Sequence, residues 1–349
     1  MTITEQIKKL DEQNQFKVIA ESYKQIEYVI NNEFDLTNLR DKKFSNIIVN
    51  GLGGSAIGGA LIQNFFGSEM TVPYHVNRNY ALPFYADENT LVVSFSYSGN
   101  TEETLSATEQ ALRKGCGVIC VTSGGKLEEI AKENSLGVVK LQSGFQPRFA
   151  LWGNFFSLVK IFETLDFISD QNDFFEQSLE LLKNKGDILS AGENAALSYA
   201  QELLGYVPVI YSAADYTSAL GERLKGEFNE NSKLHAFCNV LPEMNHNEII
   251  GWETFSEKLI NAKAIFILDQ IYHNKILKRF EISGGLIEKA GAEIIRLESA
   301  EENYKLRYVD LIYLGDWISY YLAILRKKDP SEIDNIYYLK DKLAEGNGK

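Results

Sequence analysis

Cysteine is scarce in this chain: Cys116, Cys120 and Cys238 are the only three among 349 residues. An odd number cannot pair completely, and their spacing is no zinc-ligand pattern, so reduced thiols in a cytoplasmic protein are expected. Proline is scarce too, 6 residues against 26 glycines, and no Pro-rich or Gly/Ser-rich linker divides the chain. Separate domains are therefore expected to pack directly on one another. No apolar run reaches the roughly 18–20 residues of a membrane span. The opening MTITEQIKKLDEQN is polar and charged, unlike a secretory leader. Positive charge is in deficit: 35 Lys+Arg against 48 Asp+Glu leave a net −13. Such a balance, with no basic patch, argues against binding to DNA, RNA or anionic lipid. An anionic ligand would have to be held locally, by backbone N–H groups, hydroxyls and a few selected cations.

What the chain does have is apolar residue enough for two cores, 45% of its length, and the length itself favours two domains of about 100–200 residues. Residues 4–31 carry apolar positions at helical spacing and read as one or two amphipathic helices. From 44 onward short β-branched runs alternate with helical stretches: strands at 44–51, 70–76, 89–96, 116–123 and 136–141, helices at 101–115 and 126–134. After a helical stretch at 151–203 the alternation restarts, with strands at 206–212, 234–241, 262–269 and 292–298 and a long helix over 304–326. This pattern predicts an α/β fold of two tandem, doubly wound parallel sheets flanked by helices. The expected divisions are an N-terminal helical segment over 1–40, a first domain over 41–150, a helical connection over 151–203, and a second domain with a helical tail over 204–349.

Two loops carry chemistry. Gly51-Leu-Gly53-Gly54-Ser55 ends a predicted strand and opens a predicted helix. Glycines there let the backbone approach a ligand, and the helix N-terminus offers free N–H groups to an anion. Gly51-x-Gly53-x-x-Ala56 also matches a dinucleotide fingerprint, but the next strand ends at Val76-Asn77-Arg78 without the carboxylate that holds a ribose. Arg78 leaves an NADP reading open. The second loop, Ser94-Phe-Ser96-Tyr-Ser98-Gly99-Asn100-Thr101, brings three hydroxyls, of Ser96, Ser98 and Thr101, to a strand-to-helix turn. Phosphate suits that geometry. Helix capping by an Asn100-x-x-Glu103 box is the plainer alternative, but it accounts for one side chain only.

The S-x-S-G-x-T loop and the G-G-S turn together resemble the sugar isomerase (SIS) domain. GEFNENSKLHAFCNVLPEMNHNEIIGW (226–252) and LGDWISYYLAILRKKDPSEIDNIYYLK (314–340) resemble the bifunctional phosphoglucose/phosphomannose isomerases, a two-SIS-domain branch of the phosphoglucose isomerase superfamily. The resemblance runs from about residue 40 to 340. It implies a cofactor-free, metal-free aldose–ketose isomerase acting on 6-phosphohexoses through an enediol. On that resemblance Glu230 of N-E-N-S-K is the base and His246 of N-H-N-E opens the ring, supplied by the partner of a homodimer. Arg148 steadies the enediolate, and Lys340 lies near the ring and C1 oxygens. Gly54, Ser55, Ser96, Ser98 and Thr101 hold the phosphate. A carboxylate can do such work when an enclosed site brings its pKa towards neutrality. Where relatives often carry threonine, linked to glucose/mannose discrimination, this chain reads Asp329-Pro330-Ser331. His235 falls on a predicted strand and reads as packed. A phosphosugar sensor that binds without catalysis is the competing reading. It would have no use for base, histidine and arginine together, and no basic recognition helix precedes residue 40.

Overall fold

The computed structural model describes residues 2–346. The N-terminal segment forms three main helices rather than one or two: α1 (Ile3–Leu10), α2 (Gln15–Ala20) and α3 (Tyr23–Asn31), followed by the single turn α4 (Thr37–Arg40). The break is chemical. Thr2 and Glu5 close a reciprocal capping box on α1. The Asp11 carboxylate then accepts the N–H groups of Gln15 and Phe16 at 2.8 Å each, which starts a new helix. The same carboxylate accepts the hydroxyl of Tyr320 at 2.8 Å, so the break is tied to the far end of the chain.

The first α/β unit runs β1 (Asn46–Asn50), α5 (Gly54–Phe66), β2 (Tyr74–Asn77), β3 (Thr90–Phe95), α6 (Glu102–Arg113), β4 (Gly117–Thr122), α7 (Gly125–Glu133) and β5 (Gly137–Lys140). Its five strands are parallel in the order β2-β1-β3-β4-β5. Helices cover both faces, so β3 and β4 are buried at every position. That is why their sequences read as continuous apolar runs and not as alternation.

A 3₁₀ turn (Pro147–Ala150) leads into α8 (Leu151–Thr164), α9 (Asn172–Leu189) and α10 (Ala195–Glu202). The second unit follows: β6 (Val207–Ala213), α11 (Ser218–Glu230), β7 (Phe237–Leu241), α12 (Glu248–Gly251), β8 (Ala262–Ile267), α13 (Asn274–Lys289), β9 (Ile294–Leu297), α14 (Tyr304–Leu325) and α15 (Asp334–Gly346). Its four parallel strands lie in the order β7-β6-β8-β9. The fold is thus two parallel sheets flanked by helices, and no helix among the described residues is long and apolar enough to cross a membrane.

One core binds the two units. α14 is buried around nearly its whole circumference and packs against α9, α10 and α11 as well as the N-terminal helices. Trp152, Phe155, Phe156, Tyr313, Trp317 and Phe228 share a single apolar cluster that draws on both units. A polar pin reinforces it. Asn64 at the end of α5 accepts the N–H of Ala219 at 2.8 Å, so a residue of the first unit caps the helix that carries Glu230.

Candidate active site

In the first sheet the chain leaves β1 towards β2 on one side and leaves β3 towards β4 on the other. The crevice at the carboxyl ends of β1 and β3 is therefore a topological switch point, the usual ligand position of an open α/β sheet. Both loops singled out in the sequence end there. Gly54 begins α5 and Thr101 caps α6, so two helix N-termini face the crevice. A Cβ on Gly54 would lie 2.8 Å from the Pro147 carbonyl oxygen, so only glycine lets the β1–α5 turn rest on the turn that carries Arg148. Gly99 has φ +69°, and a Cβ there would meet the Gly124 carbonyl oxygen at 1.7 Å. The loop at 96–101 needs this glycine to close.

The hydroxyls are not equivalent. Ser96 Oγ and Thr101 Oγ1 stand 2.8 Å apart. Ser55 is buried, its Oγ accepting the Tyr97 N–H at 3.4 Å, which links the two loops. Ser98 is exposed, and its Oγ accepts the N–H of Asn100 at 3.3 Å. The Asn100-x-x-Glu103 capping box does not form. Asn100 instead donates to the Ser98 carbonyl at 3.2 Å and accepts the Lys126 N–H at 3.1 Å, locking the loop to the next one. Thr101 is left at the cap with no intrahelical side-chain bond.

Arg148 lies in the 3₁₀ turn beneath this crevice and is 3% exposed. Its Nε donates to Asn231 Oδ1 at 2.8 Å, and Nη2 donates to the carbonyls of Pro330 and Ser331 at 2.6 and 3.1 Å. Nη1 is 3.6 Å from Glu230 Oε2. Glu230 is the last residue of α11 and its side chain is 37% exposed, the outer member of the pair. Burial pushes the guanidinium pKa down, opposed by Glu230 and Glu227.

His246 and Lys340 make no side-chain hydrogen bond or ion pair with this cluster. His246 closes a 3₁₀ turn (Glu243–His246) after β7 and is exposed, with no hydrogen bond or ion pair among the described residues. Its neighbours explain the turn. Asn245 donates to Ser283 Oγ at 2.7 Å and accepts from Arg279 at 3.2 Å, while Asn247 Oδ1 accepts the Glu248 N–H at 2.5 Å. Glu248 is held by the hydroxyl of Tyr211 and the amide of Asn239, both at 2.6 Å. Three of the four N-H-N-E residues thus anchor the turn, and the histidine is displayed. Lys340 lies exposed on α15, one turn beyond Tyr337, whose hydroxyl bears electrostatically on Arg148. Ser331 is buried with its Oγ unpartnered among the described residues. His235, read as a packed strand residue, is instead exposed ahead of β7, its ring edge-on to Phe237 at 4.6 Å. Arg78 is turned to Glu222 at 3.2 Å.

Four further residues complete the cluster without being singled out by the sequence. Arg223 and Glu227 follow at four-residue spacing along one face of α11, with Asn231 four residues on at its C-cap, all turned to α14. Arg223 pairs with Glu227 at 2.7 Å and Asp316 at 3.0 Å and donates to the Arg148 carbonyl at 2.8 Å. Burial raises the Glu227 carboxyl, and the Arg223 guanidinium at 2.7 Å opposes that rise by favouring the carboxylate. Lys233 donates to the Asp329 carbonyl, and burial, with Arg148 second, pulls its pKa down to about 8. The i, i+4 spacing of Arg223 and Glu227 was the available signal. Without knowledge that this face is buried, it reads as one surface pair among many.

Comparison with known proteins follows the same division. Residues 192–343 match the family described as bacterial phospho-glucose isomerase C-terminal SIS domain, and residues 38–143 match the SIS domain. A bifunctional phosphoglucose/phosphomannose isomerase of Caldicellulosiruptor bescii is 38% identical over 312 residues, 88% of this chain and 92% of the relative. One from Aquifex aeolicus is 35% identical over 337 residues, covering 95% and 98%. Among solved structures, a hypothetical protein from Thermus thermophilus superposes with a TM-score of 0.70 at 15% identity over 99% of this chain and 94% of its own. The tagatose-6-phosphate ketose/aldose isomerase from Escherichia coli does so with a TM-score of 0.63 at 15% identity over 95% of each.

Proposed function

Since the chain belongs to the family of bifunctional phosphoglucose/phosphomannose isomerases, we propose that it is an aldose–ketose isomerase interconverting glucose 6-phosphate and mannose 6-phosphate with fructose 6-phosphate. The observation that carries this reading is the Arg148–Glu230 pair: a buried guanidinium with one arm turned to a solvent-accessible carboxylate, directly under a crevice of hydroxyls and helix N-termini. Phosphate binds at the crevice through Ser55, Ser96, Ser98 and Thr101 and the amides opening at Gly54. The anchored tail directs the hexose chain across to Arg148.

Glu230 removes the proton from C2 of the open-chain aldose, the electrons move onto O1, and the resulting cis-enediolate lies against the Arg148 cation. The same carboxyl returns the proton to C1 while the O2 proton passes to O1, so the ketose forms with no net change in atoms or charge. Reversal from fructose 6-phosphate gives either epimer, according to the face of C2 that is protonated. Ser331, buried beside Arg148, is the hydroxyl positioned to bear on that choice. Lys340 reaches the ring and C1 oxygens from α15. His246 opens the ring from a second copy of the chain, a role its exposure on a well-anchored turn supports. The working unit is accordingly a homodimer. A doubly anionic hexose phosphate does not cross a bilayer unaided, so the site of action is the cytoplasm. The chain divides for this purpose into helices over 1–40, the phosphate-binding unit over 41–150, the connection over 151–203 and the base-bearing unit from 204 onward.

The test is a coupled assay supplying mannose 6-phosphate and glucose 6-phosphate separately, with a chelator present. Fructose 6-phosphate is expected from both, with deuterium from solvent appearing at the carbon that receives the proton. Saturable binding of the sugars with no ketose formed would favour a sensor and overturn the reading.

A further inference from the structure

The side chain next to the candidate base has no place in the chemistry just described, yet it is fully buried with both amide atoms hydrogen-bonded. Asn231 Oδ1 accepts from Arg148 Nε at 2.8 Å, while its Nδ2 donates to Glu227 Oε2 and to Ser319 Oγ, the latter at 3.0 Å. Its backbone N–H donates to the Glu227 carbonyl at 2.8 Å. Glu227 in turn accepts from Arg223 at 2.7 Å through its other carboxylate oxygen, and Arg223 is also held by Asp316.

We propose that Asn231 and Glu227 are positioning residues for Arg148: the Glu227 carboxylate fixes which way the Asn231 amide faces, and the amide oxygen then fixes the guanidinium so that Nη1 alone is left for the reacting carbons. The proposal rests on the reading that Arg148 steadies the enediolate. The logic is one of donors and acceptors. Arg148 Nε can only donate, so it needs the oxygen of Asn231. Glu227, paired as a carboxylate with the Arg223 guanidinium at 2.7 Å on its twin oxygen, can only accept at Oε2, so it needs the nitrogen. Nη2 is taken by the Pro330 and Ser331 carbonyls, which leaves Nη1, at 3.6 Å from Glu230, as the arm without a close acceptor. A flipped amide would set N–H against N–H at Arg148 and oxygen against oxygen at Glu227, and would release the guanidinium to turn. In a buried network such an arrangement has two discrete states, not a continuum.

The same logic supplies the test. In Glu227→Gln, the glutamine oxygen is claimed by Arg223, so its NH₂ faces the Asn231 NH₂ and drives the flip. In Asn231→Asp, two carboxylates face each other. In the double variant E227Q/N231D the hydrogen bond is restored with its polarity reversed: Gln donates to Asp, whose other oxygen still accepts from Arg148. Ser319 can rotate its hydroxyl to donate. Steady-state kinetics of the full-length chain on fructose 6-phosphate should show each single variant, and Asn231→Ala, with kcat lowered about 100-fold and KM changed less than about threefold. The double variant should recover to within about tenfold of the starting enzyme. Melting curves taken in parallel set the folded fraction, and N231A, which leaves both ion pairs of Arg223 intact, carries the comparison if E227Q does not fold. An Asn231→Ala enzyme with unaltered kcat beside an inactive Arg148→Ala enzyme would overturn the positioning role alone, as would a double variant no better than its worse parent. An Arg148→Ala enzyme with unaltered kcat would instead overturn the reading on which the role rests.

Discussion

Glu230→Gln separates catalysis from stability in a way the geometry makes quantitative. The carboxylate sits 3.6 Å from Arg148 Nη1 and its side chain is 37% exposed. That is longer than a charge-assisted hydrogen bond, and solvent screens it, so the pair contributes at most about 1 kcal/mol to folding. Glutamine keeps the volume and the helix-ending position. The loss of a general base, by contrast, costs about 10²–10⁴-fold in rate, or about 3–5 kcal/mol of barrier. Turnover of either aldose phosphate should therefore collapse while the melting temperature and the affinity for a non-reacting phosphosugar hold nearly constant. The assay is ketose formation together with deuterium incorporation from solvent, measured beside thermal unfolding. Continued solvent exchange in the glutamine variant would remove Glu230 from its role. A melting temperature that fell in step with activity would show that the carboxylate is structural.

Thr101→Val deletes one of the two hydroxyls that stand 2.8 Å apart in the crevice while keeping the side chain's shape. KM should rise about tenfold with kcat nearly kept, the worth of one hydrogen bond to a charged group; lowered kcat at unchanged KM would detach Thr101 from phosphate binding. Lys233 has a folded pKa near 8 against an ordinary 10.5, with burial the first cause. Between those values the unfolded chain binds the proton more strongly than the folded one, so this group makes stability rise with pH across the window and contributes no slope below it. Denaturant unfolding from pH 7 to 10.5 should show that rise flattened in Lys233→Met relative to the starting protein, and identical slopes would contradict the burial argument.

Much of the architecture was open to reading along the chain. Each of the nine strands among the described residues lies within or next to a run of β-branched and apolar residues, and β3, β4 and β8 read most plainly because a strand buried at every position has few polar residues to disguise it. Where local reading erred, the cause was a contact from elsewhere. The N-terminal helices break at Asp11, whose carboxylate is also claimed by Tyr320, and the box at Asn100 is forgone because Asn100 is recruited by the neighbouring loop. The displayed His246 and the exposed Lys340 were legible only through motif resemblance, since neither makes a contact among the described residues that singles it out.

Sequence alone determined the alternation of strands and helices, the glycine-opened turns and the hydroxyl loop, because periodicity, chirality and helix-terminus chemistry act between near neighbours. Tertiary structure decided what the arginine does. Arg148 meets Asn231 from 83 positions away and the Pro330 carbonyl from 182, and only the docking of α11 against α14 buries Arg223, Glu227 and Asn231 together beneath it. Burial strips water from those groups, so their donors are drawn to acceptors within the fold. That pairing, complete but for Arg223 Nε and the free arm of Arg148, turns a run of ordinary polar residues into a rigid seat for a single guanidinium.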